Sequence, residues 1–180
     1  MPGDPRAKTD VYKNERLPNA RFFDIDHIAD KSLNLPHMIP SLSDWTNQMK
    51  AFDIGSNDVV ICYDDHSIIG ASRVWWTFKI FGMKNCWIMN GNMNKWKNEG
   101  YMTEKGEPAW QKSVTYRPSE DFAFTFNSGL VKSMNDVKKW MLDNHKSHEL
   151  IDARSPGRFA GTEPDPRGKP YQCLRTLVLN

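Results

Sequence analysis

Two short apolar runs bracket a helical segment, and this alternation limits the folds open to the chain. "NDVVICYDD" follows a Gly-Ser-Asn turn, and its unbroken run Val59 to Tyr63 has the character of a strand covered on both faces. In "HSIIGASRVWWTFKIFGMKN", Ala71, Val74, Trp75, Phe78 and Phe81 recur at helical spacing, and Gly82 can close that helix in a left-handed conformation. "CWIMNG" supplies a second buried strand. "GNMNKWKNEG" supplies a short helix with Trp96 on the core side and Gly100 as its stop. Strand, helix, strand and helix with short connections predict an α/β fold built on a mostly parallel sheet flanked by helices.

The remaining segments are read around that centre. "ARFFDI", residues 20–25, reads as a short buried strand. Residues 43–51 suit a helix capped by Ser43, with Trp45 and Met49 on one face. Residues 101–130 are irregular, a surface-hugging linker with a short strand near Val114–Tyr116. Residues 133–145 suit an amphipathic helix capped by Ser133, with Asp136 at its electropositive start and Met134, Val137, Trp140 and Met141 along one face. Then "ELIDARSPGRFAGTEPDPRG", Glu149 to Gly168, reads like the opening of a domain: an apolar strand and a loop rich in glycine and arginine. Twelve residues follow it, and no internal repeat is visible in the chain.

The 180 residues suffice for one ordinary domain with a core, and seven Trp and nine Phe supply bulk for it. A net charge of +2, without a Lys/Arg block, argues against a nucleic-acid partner. No apolar run is long enough for a membrane span. "MPGDPRAKTD" has neither the apolar stretch of a signal peptide nor the acid-free character of a transit peptide, so cytoplasm and mitochondrion are not separated. Cys62, Cys86 and Cys173 form no metal-spaced pair, and their odd number suggests a reducing compartment. No cofactor motif or metal-ligand set is expected. His145 and His148 lack a third ligand and suit a helix C-terminus. His66 beside Asp65 has no nucleophile to serve, and Trp75–Trp76 read as core and contact surface.

"MPGDPR", "LPNARFFDID", "LPHMIPS", "VVICYDD", "ASRVWWTFKIFG", "MNGNMNKWKNEG" and "IDARSPGRFAGTEPDPRG" occur in one order over most of the chain. In that order and spacing the sequence resembles the two-domain sulfurtransferases, rhodanese and, more closely, 3-mercaptopyruvate sulfurtransferase. The resemblance implies a rhodanese-like α/β fold truncated at both ends. Residues 1–130 would be an N-terminal domain of the non-catalytic type. Residues 131–180 would be a linker helix and the start of a second rhodanese-like domain.

The same resemblance implies sulfane-sulfur transfer from thiosulfate or 3-mercaptopyruvate, with no cofactor. A cysteine thiolate cradled by backbone N–H groups becomes a persulfide, and arginines fork the anionic donor. Arg158 and Arg167 match the two donor-binding arginines. Read without the family, both sit in a loop with Gly157 and Gly161 and pair with Glu163 and Asp165 at the surface. No Cys-Gly-x-Gly-Val-Thr loop is present, and Asp64 stands at the corresponding position of the first domain. Cys62 and Cys86 lie inside apolar runs and read as structural thiols. Cys173, near Lys169 and Arg175, is the remaining candidate nucleophile, but no glycine loop or helix follows it. The chain is therefore expected to be a sulfurtransferase-family protein inactive by itself. The alternative is a non-catalytic rhodanese-like binding or assembly module, with a protein partner at an open sheet edge.

Overall fold

In the computed structural model, residues 11–32, 35–65, 68–108, 110, 117–142 and 149–164 are described. The chain divides into two units, Met1–Lys132 and Ser133–Asn180. The first runs α1 (Tyr12–Asn14), α2 (Ile25–Ile28), α3 (Leu42–Phe52), β1 (Val60–Cys62), α4 (Ile69–Ile80), β2 (Cys86–Ile88) and α5 (Met93–Asn98). Two 3₁₀ turns follow, Ser119–Phe122 and Ser128–Leu130. The second unit holds α6 (Met134–Leu142) and α7 (Pro156–Ala160).

The strand–helix–strand expectation is met: β1 and β2 pair in parallel, Val60 against Cys86, Ile61 against Trp87 and Cys62 against Ile88. A parallel pair needs a crossover, and α4 supplies it while packing on both strands. Trp75 donates its indole N–H to the Cys86 carbonyl at 2.9 Å and ties helix to strand. Gly82 ends the segment at φ +83°, as its position predicted.

Coverage of both sheet faces is not observed. Cys62 and Cys86 are buried, whereas Val59 is 68% exposed, Ile61 60% and Trp87 52%. Alternate strand residues point to opposite faces, so a continuous apolar run leaves one face open when helices cover only the other.

The core lies between α3 and α4. Trp45 is fully buried, stacked on Phe81 with centroids 4.6 Å apart and edge-on to Phe78 at 4.9 Å. Met49 lies one turn on and is equally buried. The cap of α3 is Ser41, not Ser43: its Oγ accepts from the Asp44 N–H, so the helix begins one residue before the range expected.

"ARFFDI" is not a strand. Asp24 accepts from the N–H groups of Asp26 (3.1 Å) and His27 (3.0 Å) and turns the chain into α2. Phe23 instead joins the aromatic cluster beside Trp45, Phe52 and Phe78. In α5, Met93 is the buried residue; Trp96 is half-buried against Tyr101, its indole N–H on the Met102 carbonyl.

The irregular stretch after α5 is pinned by charge. Arg16, 1% exposed, pairs backbone to backbone with Glu104, and its guanidinium reaches Glu104 Oε1 at 3.1 Å and the Gly106 carbonyl at 2.7 Å. Arg117 bridges Asp53 and Asp58, both at 2.8 Å. Val114–Tyr116 lie outside the described residues.

In the second unit, Ser133 and Asp136 cap α6 reciprocally: the Asp136 N–H donates to Ser133 Oγ at 3.1 Å, and the Ser133 N–H to Asp136 Oδ2 at 2.9 Å. "ELIDA" forms no strand. A strand needs a ladder partner, and among the described residues it has none; Leu150 is 66% and Ile151 88% exposed. The segment read as a loop contains a one-turn helix, α7, capped by Ser155 and closed by Gly161 at φ +75°.

Candidate functional site

Asp64 lies where β1 has just ended and α4 is about to begin. Its carboxylate accepts from the Asp65 N–H at 2.7 Å through Oδ1 and from the Gly70 N–H at 3.0 Å through Oδ2. The Asp64 carbonyl accepts from the Met93 N–H at 3.2 Å, which joins this loop to α5. A strand end followed by a helix entrance is a place where backbone N–H groups converge and an anion is favoured. Here the anion is a side chain of the chain itself. Gly70 leaves room for it, since a Cβ there would stand 2.4 Å from Asp64 Oδ2.

A cavity of about 350 Å³ adjoins the loop, with Glu15, Asp65, Asn94 and Lys97 among its walls. Lys97 Nζ is held by Glu15 Oε2 at 2.6 Å, and Thr103 donates to Glu15 Oε1 at 2.9 Å. Those two hydrogen bonds keep the Glu15 carboxyl below the usual carboxylate range. The lysine of this wall therefore already has its counter-ion.

The two thiols among the described residues are elsewhere. Cys62 and Cys86 are 6% and 1% exposed, with their Sγ atoms 3.9 Å apart. The contact with Cys86, and burial after it, push the Cys62 thiol far up, so it remains protonated at neutral pH. This is the environment of a packing group, not of a nucleophile.

One arrangement escaped the sequence reading. His37 sits at φ +58° with Nδ1 2.8 Å from Asp26 Oδ1, although its ring N–H does not point along that line. Its carbonyl accepts from the Arg73 guanidinium, which lies 5.0 Å over the Trp76 ring. Nothing in "LPHMIP" signalled it: the left-handed backbone of His37 belongs to the fold, and few residues other than glycine take it.

In the second unit Arg158 lies in α7, half-buried, its backbone N–H on Ser155 Oγ at 3.4 Å and its Nε buried without a partner. The surface pair with Glu163 does not form; Glu163 instead accepts from Ser155 Oγ at 2.9 Å and packs over Gly157. Asp152 and Arg154 form a closed pair nearby, Arg154 Nε donating to both carboxylate oxygens at 2.9 and 2.7 Å. Arg167, Cys173, His66, His145, His148 and Asp165 lie outside the described residues. Among the described residues no three His, Cys, Asp or Glu side chains gather as a metal site, and no helix is long and apolar enough to cross a membrane.

Comparison with known proteins agrees with this architecture. A model of the rhodanese-like domain matches residues 4–99. The chain is 34% identical over 181 residues to a relative from Arabidopsis thaliana named thiosulfate/3-mercaptopyruvate sulfurtransferase 1, mitochondrial, covering 93% of this chain and 47% of that one. It is 34% identical to a probable 3-mercaptopyruvate sulfurtransferase from Schizosaccharomyces pombe, covering 93% and 55%. Among solved structures, the Tum1 protein from Saccharomyces cerevisiae superposes with a TM-score of 0.75 at 28% identity, covering 89% of this chain and 53% of that one. The chain thus spans about half the length of the curated relatives it matches. Its parallel strand pair, the crossover helix between them and the matched domain all point one way: this chain belongs to the rhodanese-like sulfurtransferase family.

Proposed function

We propose that the chain contributes donor binding and scaffolding, but no sulfur-carrying thiol, to thiosulfate or 3-mercaptopyruvate sulfur transfer. Residues 1–130 are read as a rhodanese-like domain of the non-catalytic type, and residues 131–180 as a linker helix and the start of a second such domain. Arg158 and Arg167 are its donor-binding residues. Asp64 occupies the position of the catalytic cysteine in the first domain. A reducing compartment, cytoplasm or mitochondrion, suits the free buried thiols.

The observation that carries this reading is the Asp64 carboxylate on the N–H groups of Asp65 and Gly70. A carboxylate there takes the place a thiolate would need and cannot hold a sulfane sulfur. Thiocyanate formation from cyanide with thiosulfate or 3-mercaptopyruvate is the direct test. The expected result is background turnover in the 180-residue chain, unchanged by Cys173→Ser. Robust turnover abolished by that substitution would overturn the proposal.

A second reading, a non-catalytic binding or assembly module, is favoured by the open sheet face of Val59, Ile61 and Trp87. Sedimentation as a clean monomer without binding of an exposed-surface dye would count against it.

A further inference from the structure

We propose that Cys62 and Cys86 form a two-thiolate site for a single copper(I) ion, beneath α4 and separate from the residues read as donor-binding.

The site comes from strand register. Val60 pairs with Cys86 and Cys62 with Ile88, so the two cysteines stand diagonally across adjacent parallel strands. Alternation puts both on the face that α4 covers, while Ile61 and Trp87 lie on the open face. There the sulfurs meet, Sγ to Sγ at 3.9 Å, and either thiol can donate to the other.

Backbone spacing decides what can join them. An offset of about 6.6 Å along the strands and about 4.8 Å between them sets the Cα atoms about 8 Å apart. A disulfide needs Cα atoms within about 7 Å and sulfurs at about 2.05 Å. Oxidation would therefore have to drag the backbones out of the ladder that fixes their register. A metal ion requires no such movement. Two metal–thiolate bonds of about 2.3 Å span about 3.8 Å at a tetrahedral angle and about 4.6 Å in a line. The observed separation falls between these limits.

Ligand number then selects the metal. Among the described residues no third His, Cys, Asp or Glu gathers with the pair. Zinc closes a structural site with four ligands, and calcium and magnesium take oxygen. Copper(I) is soft and is satisfied by two thiolates. Binding involves no redox change: each thiol gives its proton to water, two Cu–S bonds form, and the copper stays monovalent. The product carries one negative charge, and a cation stands on the same side. Lys79 Nζ donates to the Lys84 carbonyl at 2.6 Å and lies 6.0 Å from the Trp75 ring, whose N–H holds the Cys86 carbonyl at 2.9 Å. The Cys62 hydrogen bond lowers the Cys86 thiol, burial opposes it, and the Lys79 charge adds to the lowering.

The test uses the 180-residue chain with Cys173→Ser, so that only the proposed pair carries thiols. The reduced protein is given copper(I) anaerobically from a coloured chelator, whose loss of colour reads the transfer. A single copper(I) per chain is expected, held more tightly as pH rises because both thiols must lose protons. Cys62→Ala and Cys86→Ala should each abolish the transfer. Copper-edge X-ray absorption of the Cys173→Ser chain, which depends on neither alanine variant folding, should show two sulfur neighbours alone. Zinc at equal concentration should leave the copper in place, and oxidised glutathione should close no internal disulfide in the folded chain. The proposal is overturned by absence of transfer, by transfer that persists in either alanine variant, by oxygen or nitrogen neighbours at the copper, or by displacement with zinc. Ready closure of a Cys62–Cys86 disulfide would overturn it as well, since the strand spacing would then not exclude a direct bond.

Discussion

Asp64 and Gly70 form a unit in which one residue fills the space that the other leaves. The carboxylate satisfies the Gly70 N–H in the first turn of α4, as a capping side chain does, and the Asp65 N–H in the loop before it, and Gly70 allows the approach. Asp64→Ala is expected to cost about 1 kcal/mol of stability, the usual loss for a removed cap. Gly70→Ala should cost a similar amount, because its Cβ must push the same carboxylate aside. Since both changes break one contact, the double variant should be less destabilised than the two singles added together. Urea unfolding of the four proteins measures this, and full additivity would show that Asp64 and Gly70 act separately. At this scale the sequence was legible only in part. Asp64 is visible because it directly follows an apolar strand. Asp26 and His37 are not, since nothing in their spacing says that His37 turns left-handed and brings its ring to a carboxylate eleven residues earlier.

Among the elements, α1 and α5 are held together by charge more than by apolar burial. Glu15 follows directly on α1 and grips Lys97 of α5 at 2.6 Å and the Thr103 hydroxyl at 2.9 Å. These hydrogen bonds lower its folded-state pKa, so the sign of the pH effect follows. The contribution is complete above the unfolded carboxylate value of about 4.3 and is lost as pH falls through the lower folded value. Glu15→Gln should therefore flatten part of the acid limb of the stability–pH curve while leaving its slope above pH ~6 unchanged. Salt should weaken the wild-type contact, which lies partly exposed. Thermal melts across acid and neutral pH check this; parallel curves for the two proteins would remove Glu15 from the account. The elements that the sequence predicted correctly are those whose period is long enough to be unambiguous. Trp45 and Met49 mark α3, and Ala71, Phe78 and Phe81 mark α4. "ARFFDI" and "ELIDA" were misread because a short segment with three or four apolar residues fits a strand, a helix entrance or an unpaired extension equally well. Asp24 as a cap decides the first, and the want of a ladder partner among the described residues decides the second.

Across the whole molecule, burial is distributed unequally. In the first unit Trp45, Met49, Phe78, Ile80, Phe81 and Met83 are each at most 2% exposed. Each such side chain is worth about 1.5–3 kcal/mol on leaving water. Ordering a residue costs on the order of 1–2 kcal/mol, so only a segment that buries several such groups is held firmly. Among the described residues of the second unit none is buried, and Met134 is 89% and Ile151 88% exposed. The two units should therefore open independently and at different free energies. Amide hydrogen exchange is expected to show α4 among the slowest segments, close to the global unfolding free energy, and α6 many-fold faster despite its good cap. Trp45→Ala, which leaves a large hole between α3 and α4, should cost about 3–5 kcal/mol. It should accelerate exchange throughout α3, α4 and β2 and leave α6 rates nearly unchanged. If α6 instead exchanges as slowly as α4, or follows it when Trp45 is truncated, the two units unfold as one and the unequal burial does not set their stability.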